Sequence, residues 1–252
     1  MKKKFIIVAN WKMYPRTAKE ARAVFSELIK KAKFSGRTEI VIAPPFPYLA
    51  LFQKNRKISL GAQDIFYEPE GAFTGEISGP MLKSLGAGYV IVGHSERRRF
   101  AGETDLMVNK KLKHALKSGL RPILCVGETD RDADGMFFGV LKKQIVSAFA
   151  KVKSSDARRV IVAYEPVWAI SPAKPARPRD ANEAALFIKK VLAARYGVSF
   201  AKKIQILYGG SVDAKAAESF LREQEISGLL VGGASRNPRT FLNIVQCVAS
   251  IS

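Results

Sequence analysis

Short β-branched runs alternate with longer amphipathic segments along the whole chain, and this alternation limits the fold more than any other feature. The expected strands are Phe5–Asn10, Glu39–Ala43, Ser59–Gln63, Tyr89–Gly93, Pro122–Val126, Val160–Glu165, Ile204–Tyr208 and Gly228–Val231. Segments of helical period separate them, among them Ala18–Lys33, Asp105–Lys117, Phe138–Lys151, Asp180–Tyr196 and Asp213–Gln224. Phe187, Val191, Leu192 and Tyr196 recur at the spacing of one helical face, as do Leu112, Ala115 and Leu116. Strands this apolar, joined by helices, belong to a parallel sheet covered on both faces. Eight is the number at which such a sheet closes on itself. The expected fold is α/β, a single-domain (β/α)8 barrel with eight parallel strands. On pattern alone an open doubly wound sheet is its competitor.

No linker, low-complexity tract or break in composition divides residues 1–252, so one domain is expected. At 252 residues and 47% hydrophobic the chain can bury a core without disulfides or a structural metal. Cys125 and Cys247 lie far apart in apolar runs with no Cys/His cluster, which reads as free thiols in a reducing compartment. The apolar run Phe5–Ala9 behind Met1-Lys2-Lys3-Lys4 is too short for a signal peptide. No stretch approaches the roughly 20 apolar residues that cross a bilayer. A soluble, cytoplasmic protein with no membrane partner is expected.

Lys and Arg number 42 against 22 Asp and Glu, a formal charge of +20. Such a balance attracts anions of every kind. The cations are dispersed over the helical segments and do not gather in a tail, so no specific nucleic-acid partner is expected.

A barrel places its chemistry at the carboxyl ends of the strands. Strand 1 ends in Asn10-Trp11-Lys12, strand 4 in Gly93-His94-Ser95-Glu96-Arg97, and strand 6 in Tyr164-Glu165-Pro166. Strands 7 and 8 run into Gly209-Gly210-Ser211 and Gly232-Gly233-Ala234. Glycine lets the backbone approach a ligand closely, and a following helix start offers free N–H groups to an anion. Taken singly, Lys12 reads as a surface lysine, His94 as a structural histidine and Glu165 as a salt-bridge partner. His114, on a helix face, is expected to be structural. Together at one end of the barrel, the five strand ends form a reaction set. A phosphate ester held by strands 7 and 8 extends its carbonyl and hydroxyl toward strands 1, 4 and 6. Glu165 then takes a proton from the carbon beside the carbonyl, and burial against Trp168 should raise its pKa towards neutrality. Lys12, His94 and the Asn10 amide stabilise the enediolate. Glu96 and Arg97 are expected to organise the site through an ion pair. The same glutamate returns the proton, so neither a metal nor another cofactor is needed.

These residues resemble the signature segments of the triosephosphate isomerase family. The resemblance lies in Asn10–Met13, Gly71–Ser78, Gly93–Arg98, Cys125–Thr129, Tyr164–Ile170, Tyr208–Val212 and Val231–Ser235, and runs from residue 5 to about 245. It implies a cofactor-free aldose–ketose isomerase of glycolysis and gluconeogenesis, interconverting dihydroxyacetone phosphate and D-glyceraldehyde 3-phosphate on a TIM barrel. The family itself supplies the roles of a glutamate base, a neutral histidine electrophile and a closing loop. By position these fall to Glu165 as base and His94 as electrophile. Asn10 and Lys12 bind substrate, Glu96 neighbours the histidine, and the N–H groups of Ser171, Ser211, Gly232 and Gly233 hold phosphate. Gly71–Ser78 resembles a loop that inserts into a second subunit, implying a homodimer.

The chain departs from the family pattern after Ile170, where Ser171-Pro172-Ala173-Lys174-Pro175-Ala176 lacks two glycines. Two prolines there fix φ and remove N–H donors; a stiffer lid with unchanged chemistry is expected. Tyr14-Pro15, Leu106, Ser227 and Asp130–Gly135 also depart, leaving the subunit contact less defined. Two alternatives stand beside the isomerase: another phosphate-binding barrel with a different acid–base set, and a non-catalytic basic barrel that binds a polyanion. Activity on triose phosphates, and its loss in Glu165→Asp, separates them from it.

Overall fold

A computed structural model describes residues 3–31, 36–52, 58–132, 134–170 and 176–251. Eight strands form a closed barrel in sequence order: β1 (Phe5–Asn10), β2 (Thr38–Ala43), β3 (Ser59–Ala62), β4 (Tyr89–Val92), β5 (Arg121–Val126), β6 (Ile161–Tyr164), β7 (Gln205–Tyr208) and β8 (Ile226–Val231). Every pairing is parallel, and β8 returns to β1 with Val8 opposite Leu230 and Ala9 opposite Val231. Closure excludes the open doubly wound sheet.

The alternation of side chains along each strand divides the core into two layers. Ile6, Val8, Val41, Ala43, Ile91, Ile123, Cys125, Ile161, Ala163, Leu207 and Leu230 fill the barrel. Phe5, Ile7, Ala9, Ile40, Ile42, Val90, Leu124 and Val162 face the helices. Because both faces are covered, almost no strand residue needs to be polar.

The larger helices are α1 (Ala18–Lys31), α4 (Asp105–Lys117), α5 (Phe137–Ala148), α7 (Pro178–Tyr196), α9 (Ala214–Arg222) and α10 (Pro238–Gln246). Short helices α2 (Gly79–Ser84), α3 (Ser95–Phe100), α6 (Ser154–Ala157) and α8 (Val198–Ala201) complete the shell. Their starts are written in side chains. Thr104 Oγ1 accepts the Met107 N–H to open α4, and Asp213 Oδ1 accepts the Ala216 N–H at 2.7 Å to open α9. Asn237 opens α10 by accepting from Arg239 and Thr240. His114 is structural, as expected: it is buried, and its Nε2 accepts the Gly79 N–H at 3.3 Å.

Three strands stop one residue short of the expected end, leaving Gln63, Gly93 and Glu165 just beyond the ladder. Strand β8 begins two residues early, across a register shift opposite Ile206–Leu207. Gly228 sits beyond that shift because a β-carbon there would stand 1.9 Å from the Ile6 carbonyl oxygen.

Candidate active site

The mouth of the barrel is built from backbone geometry first. Asn10 ends β1, and its Oδ1 accepts the Lys12 N–H at 3.0 Å, which turns the chain sharply. Lys12 adopts φ +53°, a left-handed conformation that costs a non-glycine residue about 1–2 kcal/mol. Gln63 holds it there, its amide donating to the carbonyl oxygens of Lys12 at 2.8 Å and Ala43 at 2.9 Å. The Lys12 ammonium lies 2.5 Å from Glu96 Oε1.

His94 caps α3. Its Nδ1 accepts the Glu96 backbone N–H at 3.1 Å, which leaves the proton of the neutral ring on Nε2. Nε2 stands 3.1 Å from Glu165 Oε1. Glu165 follows β6 directly, is 3% exposed, and accepts the Ser95 N–H on Oε2 at 3.2 Å. A ring nitrogen donor and a carboxylate acceptor therefore face the cavity together.

The segment carrying Glu165 is pinned from β5. Its N–H donates to the Val126 carbonyl at 2.8 Å, and the Val167 N–H to that of Glu128 at 2.9 Å. The buried Glu128 carboxylate accepts from Tyr164 Oη at 2.7 Å and Trp168 Nε1 at 2.8 Å. Trp168 is thus fixed to Glu128. Burial pushes the Cys125 thiol well up, with Glu165 beside it adding to the effect, so the thiol is an inert wall.

Gly209, Gly210 and Ser211 after β7, with Gly232 and Gly233 after β8, line the same cavity of about 380 Å³ as Asn10, Lys12, His94 and Glu165. Among the described residues no acceptor takes the backbone N–H of Ser211, Gly232 or Gly233. The expectation that helix starts face the mouth holds differently at the two turns. Asp213 already caps α9, whereas Gly232 leads into a 3-10 turn, Gly233–Arg236.

The triosephosphate isomerase family model matches residues 5–248. The chain belongs to the triosephosphate isomerase family. Its sequence is 46% identical to the triosephosphate isomerase of Dictyoglomus thermophilum over 245 residues, covering 96% of this chain and 98% of that one. Those of Moorella thermoacetica and Carboxydothermus hydrogenoformans are 45% and 44% identical, each over at least 96% of both chains.

For this family member, Asn10, Lys12, His94, Glu96, Glu165, Ser211, Gly232 and Gly233 come together at one end of the barrel. Ser171 lies outside the described residues with the rest of 171–175, and so does the lid expectation. The expected Glu96–Arg97 ion pair does not form. Glu96 takes Lys12, while Arg97 turns to Asp64 at 2.9 Å and to Glu103. Lys111, 2% exposed, also bonds Asp64 and Glu103, at 2.7 and 2.5 Å. Burial pushes Asp64 up to about 6. Burial would raise Glu103 too, but hydrogen bonds from Arg97 and Lys111 bring it below the usual carboxylate range.

Sequence reasoning missed Gln63 and Arg236. Gln63 stood in an expected strand, and periodicity alone does not show that its side-chain amide reaches the Lys12 and Ala43 carbonyls. Arg236 lines the cavity with its guanidinium 4.4 Å from the Tyr14 ring, and the VGGAS run before it was the available signal.

Proposed function

We infer that the chain interconverts dihydroxyacetone phosphate and D-glyceraldehyde 3-phosphate, the isomerase step of glycolysis and gluconeogenesis. The reading rests on membership of the family and on one geometric observation. The Glu165 carboxylate, the His94 Nε2–H and the Lys12 ammonium converge on a cavity whose far wall offers backbone N–H groups that no acceptor among the described residues takes.

The phosphate sits against the N–H groups of Ser211, Gly232 and Gly233, with Ser171 assigned to it by position alone and Arg236 adding positive charge. Glu165 removes a proton from the carbon next to the carbonyl, and the electron pair moves onto oxygen as an enediolate. The His94 Nε2–H donates to that oxygen and Lys12 supplies charge, with Asn10 shaping the turn that presents it. Glu96 holds the Lys12 ammonium and, through its N–H, the tautomer of His94. Glu165 then returns the proton to the neighbouring carbon. The proton balance closes within the site, so the step calls for no cofactor.

A homodimer through Gly71–Ser78 is part of the proposal. Met13 (89% exposed) and Tyr14 after β1, and Phe73, Met81 and Leu85 in and after that loop, are large apolar side chains open to solvent, the kind of surface a partner subunit covers. A cytoplasmic location is likewise proposed. Free Cys125 and Cys247 suit a reducing compartment, and no helix among the described residues is long and apolar enough to cross a membrane.

A coupled assay from glyceraldehyde 3-phosphate, repeated with Glu165→Asp, tests the reading. Wild-type turnover falling roughly 100-fold or more in the variant is expected. An inactive wild type, or a variant as active as the wild type, overturns it.

A further inference from the structure

The charge of +20 is not used by the reaction, and the structure shows where part of it collects. All strands are parallel, so the residues leading into them share the barrel end opposite the catalytic mouth. Along five neighbouring strands, β6-β7-β8-β1-β2, these lead-ins carry Arg158 and Arg159, Lys202 and Lys203, Arg222, Lys3 and Lys4, and Arg37. Some are engaged in holding the fold. Arg159 donates to the Leu116 and Leu120 carbonyls, Lys3 to those of Glu223 and Gln224, and Arg222 pairs with Glu218. Lys4, Arg37, Arg158, Lys202 and Lys203 have no acidic partner among the described residues. The acids at this end are Asp156, Glu223 and Glu225, with Glu225 committed to Lys189, and Glu39, which faces Arg121.

The cations border two clefts. One, of about 310 Å³, lies between Lys3, Arg37 and Arg222; the other, of about 200 Å³, lies between Arg158 and Lys203. A row of cations around clefts on a curved edge suits discrete phosphates spaced along a chain. Among the described residues Val198 is the large apolar side chain exposed beside the row, too little for insertion into lipid. Phe5 and Phe200, the aromatics bordering the clefts, are buried, so the described residues offer no platform for stacking unpaired bases.

We propose that this basic arc binds the phosphate backbone of a duplex nucleic acid, without sequence preference, while the catalytic mouth stays free. The interaction would be electrostatic and of the non-specific class, with Kd roughly 10⁻⁴–10⁻⁶ M. It adds a surface to the enzyme and does not require loss of catalysis.

The test is fluorescence anisotropy of the whole protein with two labelled 20-bp RNA duplexes of unrelated sequence, at 50 and 200 mM salt. Both duplexes should bind alike. With about five phosphate contacts, affinity should fall roughly 500-fold across that range. A variant combining Lys4→Glu, Arg37→Glu, Arg158→Glu and Lys203→Glu should lose at least about tenfold in affinity and keep the wild-type kcat/KM, which also reports its folding. A second variant, Lys19→Glu, Lys113→Glu, Lys142→Glu and Lys143→Glu, removes as much charge from exposed sites away from the arc and should keep most of the binding. No binding at 50 mM salt overturns the proposal, and so does equal loss in the two variants. Binding that blocks turnover by competing with inorganic phosphate, or capture by phosphatidylserine vesicles without duplex binding, does so too.

Discussion

A β-carbon on Gly209 would stand 2.8 Å from Cγ of Glu165 and 3.5 Å from its Oε1. The glycine after β7 therefore makes room for Glu165, the proposed base, as well as bringing backbone toward the cavity. Gly232 stands in the same relation to Lys12, whose Cε would lie 3.0 Å from an added β-carbon. Gly209→Ala should displace the Glu165 carboxylate by a fraction of an ångström and lower kcat/KM about 10- to 100-fold. Steady-state kinetics beside a thermal melt would check this, with Tm expected to move little. Unchanged kinetics would show that Glu165 has slack.

Gln63 makes no contact with the reacting groups, yet it bonds the carbonyl of the strained residue that supplies the ammonium. Gln63→Leu leaves the Lys12 carbonyl without that donor, while Ala43 keeps the Trp11 N–H, at a cost of about 1–3 kcal/mol for the polar group left unpaired. We expect a lower Tm and a kcat/KM reduced roughly tenfold, recovered in part by Gln63→Asn only if the shorter amide still reaches. Kinetics of the folded fraction would separate the two effects.

Asp64 gives a signed pH dependence. Its carboxyl is pushed by burial from 3.8 to about 6, so the folded state holds this proton more tightly than the unfolded chain. Its stabilising contribution is present below pH about 4 and is lost as pH rises through about 6, by about 2–3 kcal/mol in all. Glu103, held low by Arg97 and Lys111, contributes in the opposite sense and loses its contribution as pH falls. Denaturant melts of wild type and Asp64→Asn between pH 4 and 8 should therefore diverge, the variant gaining relative stability as pH rises. Parallel curves would place the Asp64 proton elsewhere.

The exposed apolar rim predicts assembly. Sedimentation at micromolar concentration should give a dimer, and Phe73→Asp should shift it toward monomer, with activity falling at least about tenfold at low protein concentration. A monomeric, fully active wild type would refute the subunit contact.

The readable parts of the sequence were those with a local physical signal. Strand β1 and helix α4 were placed to the residue, the helix because Thr104 caps it and Gly119 follows its end. The strand-end positions of Lys12, His94 and Glu165 followed from the same logic, since an ionisable group after a buried run has few places to go. What failed was partner choice. Arg97 adjoins Glu96 in sequence, but a helical turn sends the two side chains apart, toward Asp64 and Lys12, which are distant in the chain. Gln63 was lost because strand periodicity does not tell which carbonyls of neighbouring strands a side-chain amide at a strand end will reach. At the turns after β7 and β8 the sequence pattern is the same Gly-Gly, but the first runs into a helix capped by Asp213 and the second into a 3-10 turn.

The pairing of β8 with β1 places a timing constraint on manufacture. Lys12 leaves the ribosome with the first strand of the barrel, yet Gly232, which borders it, and Ser235, whose hydroxyl donates to the Asn10 carbonyl at 3.2 Å, come more than 200 residues later. Throughout synthesis the growing chain carries an unclosed sheet edge on β1 and half a cavity. The enzyme comes into being late and at once, when its last strand docks against its first.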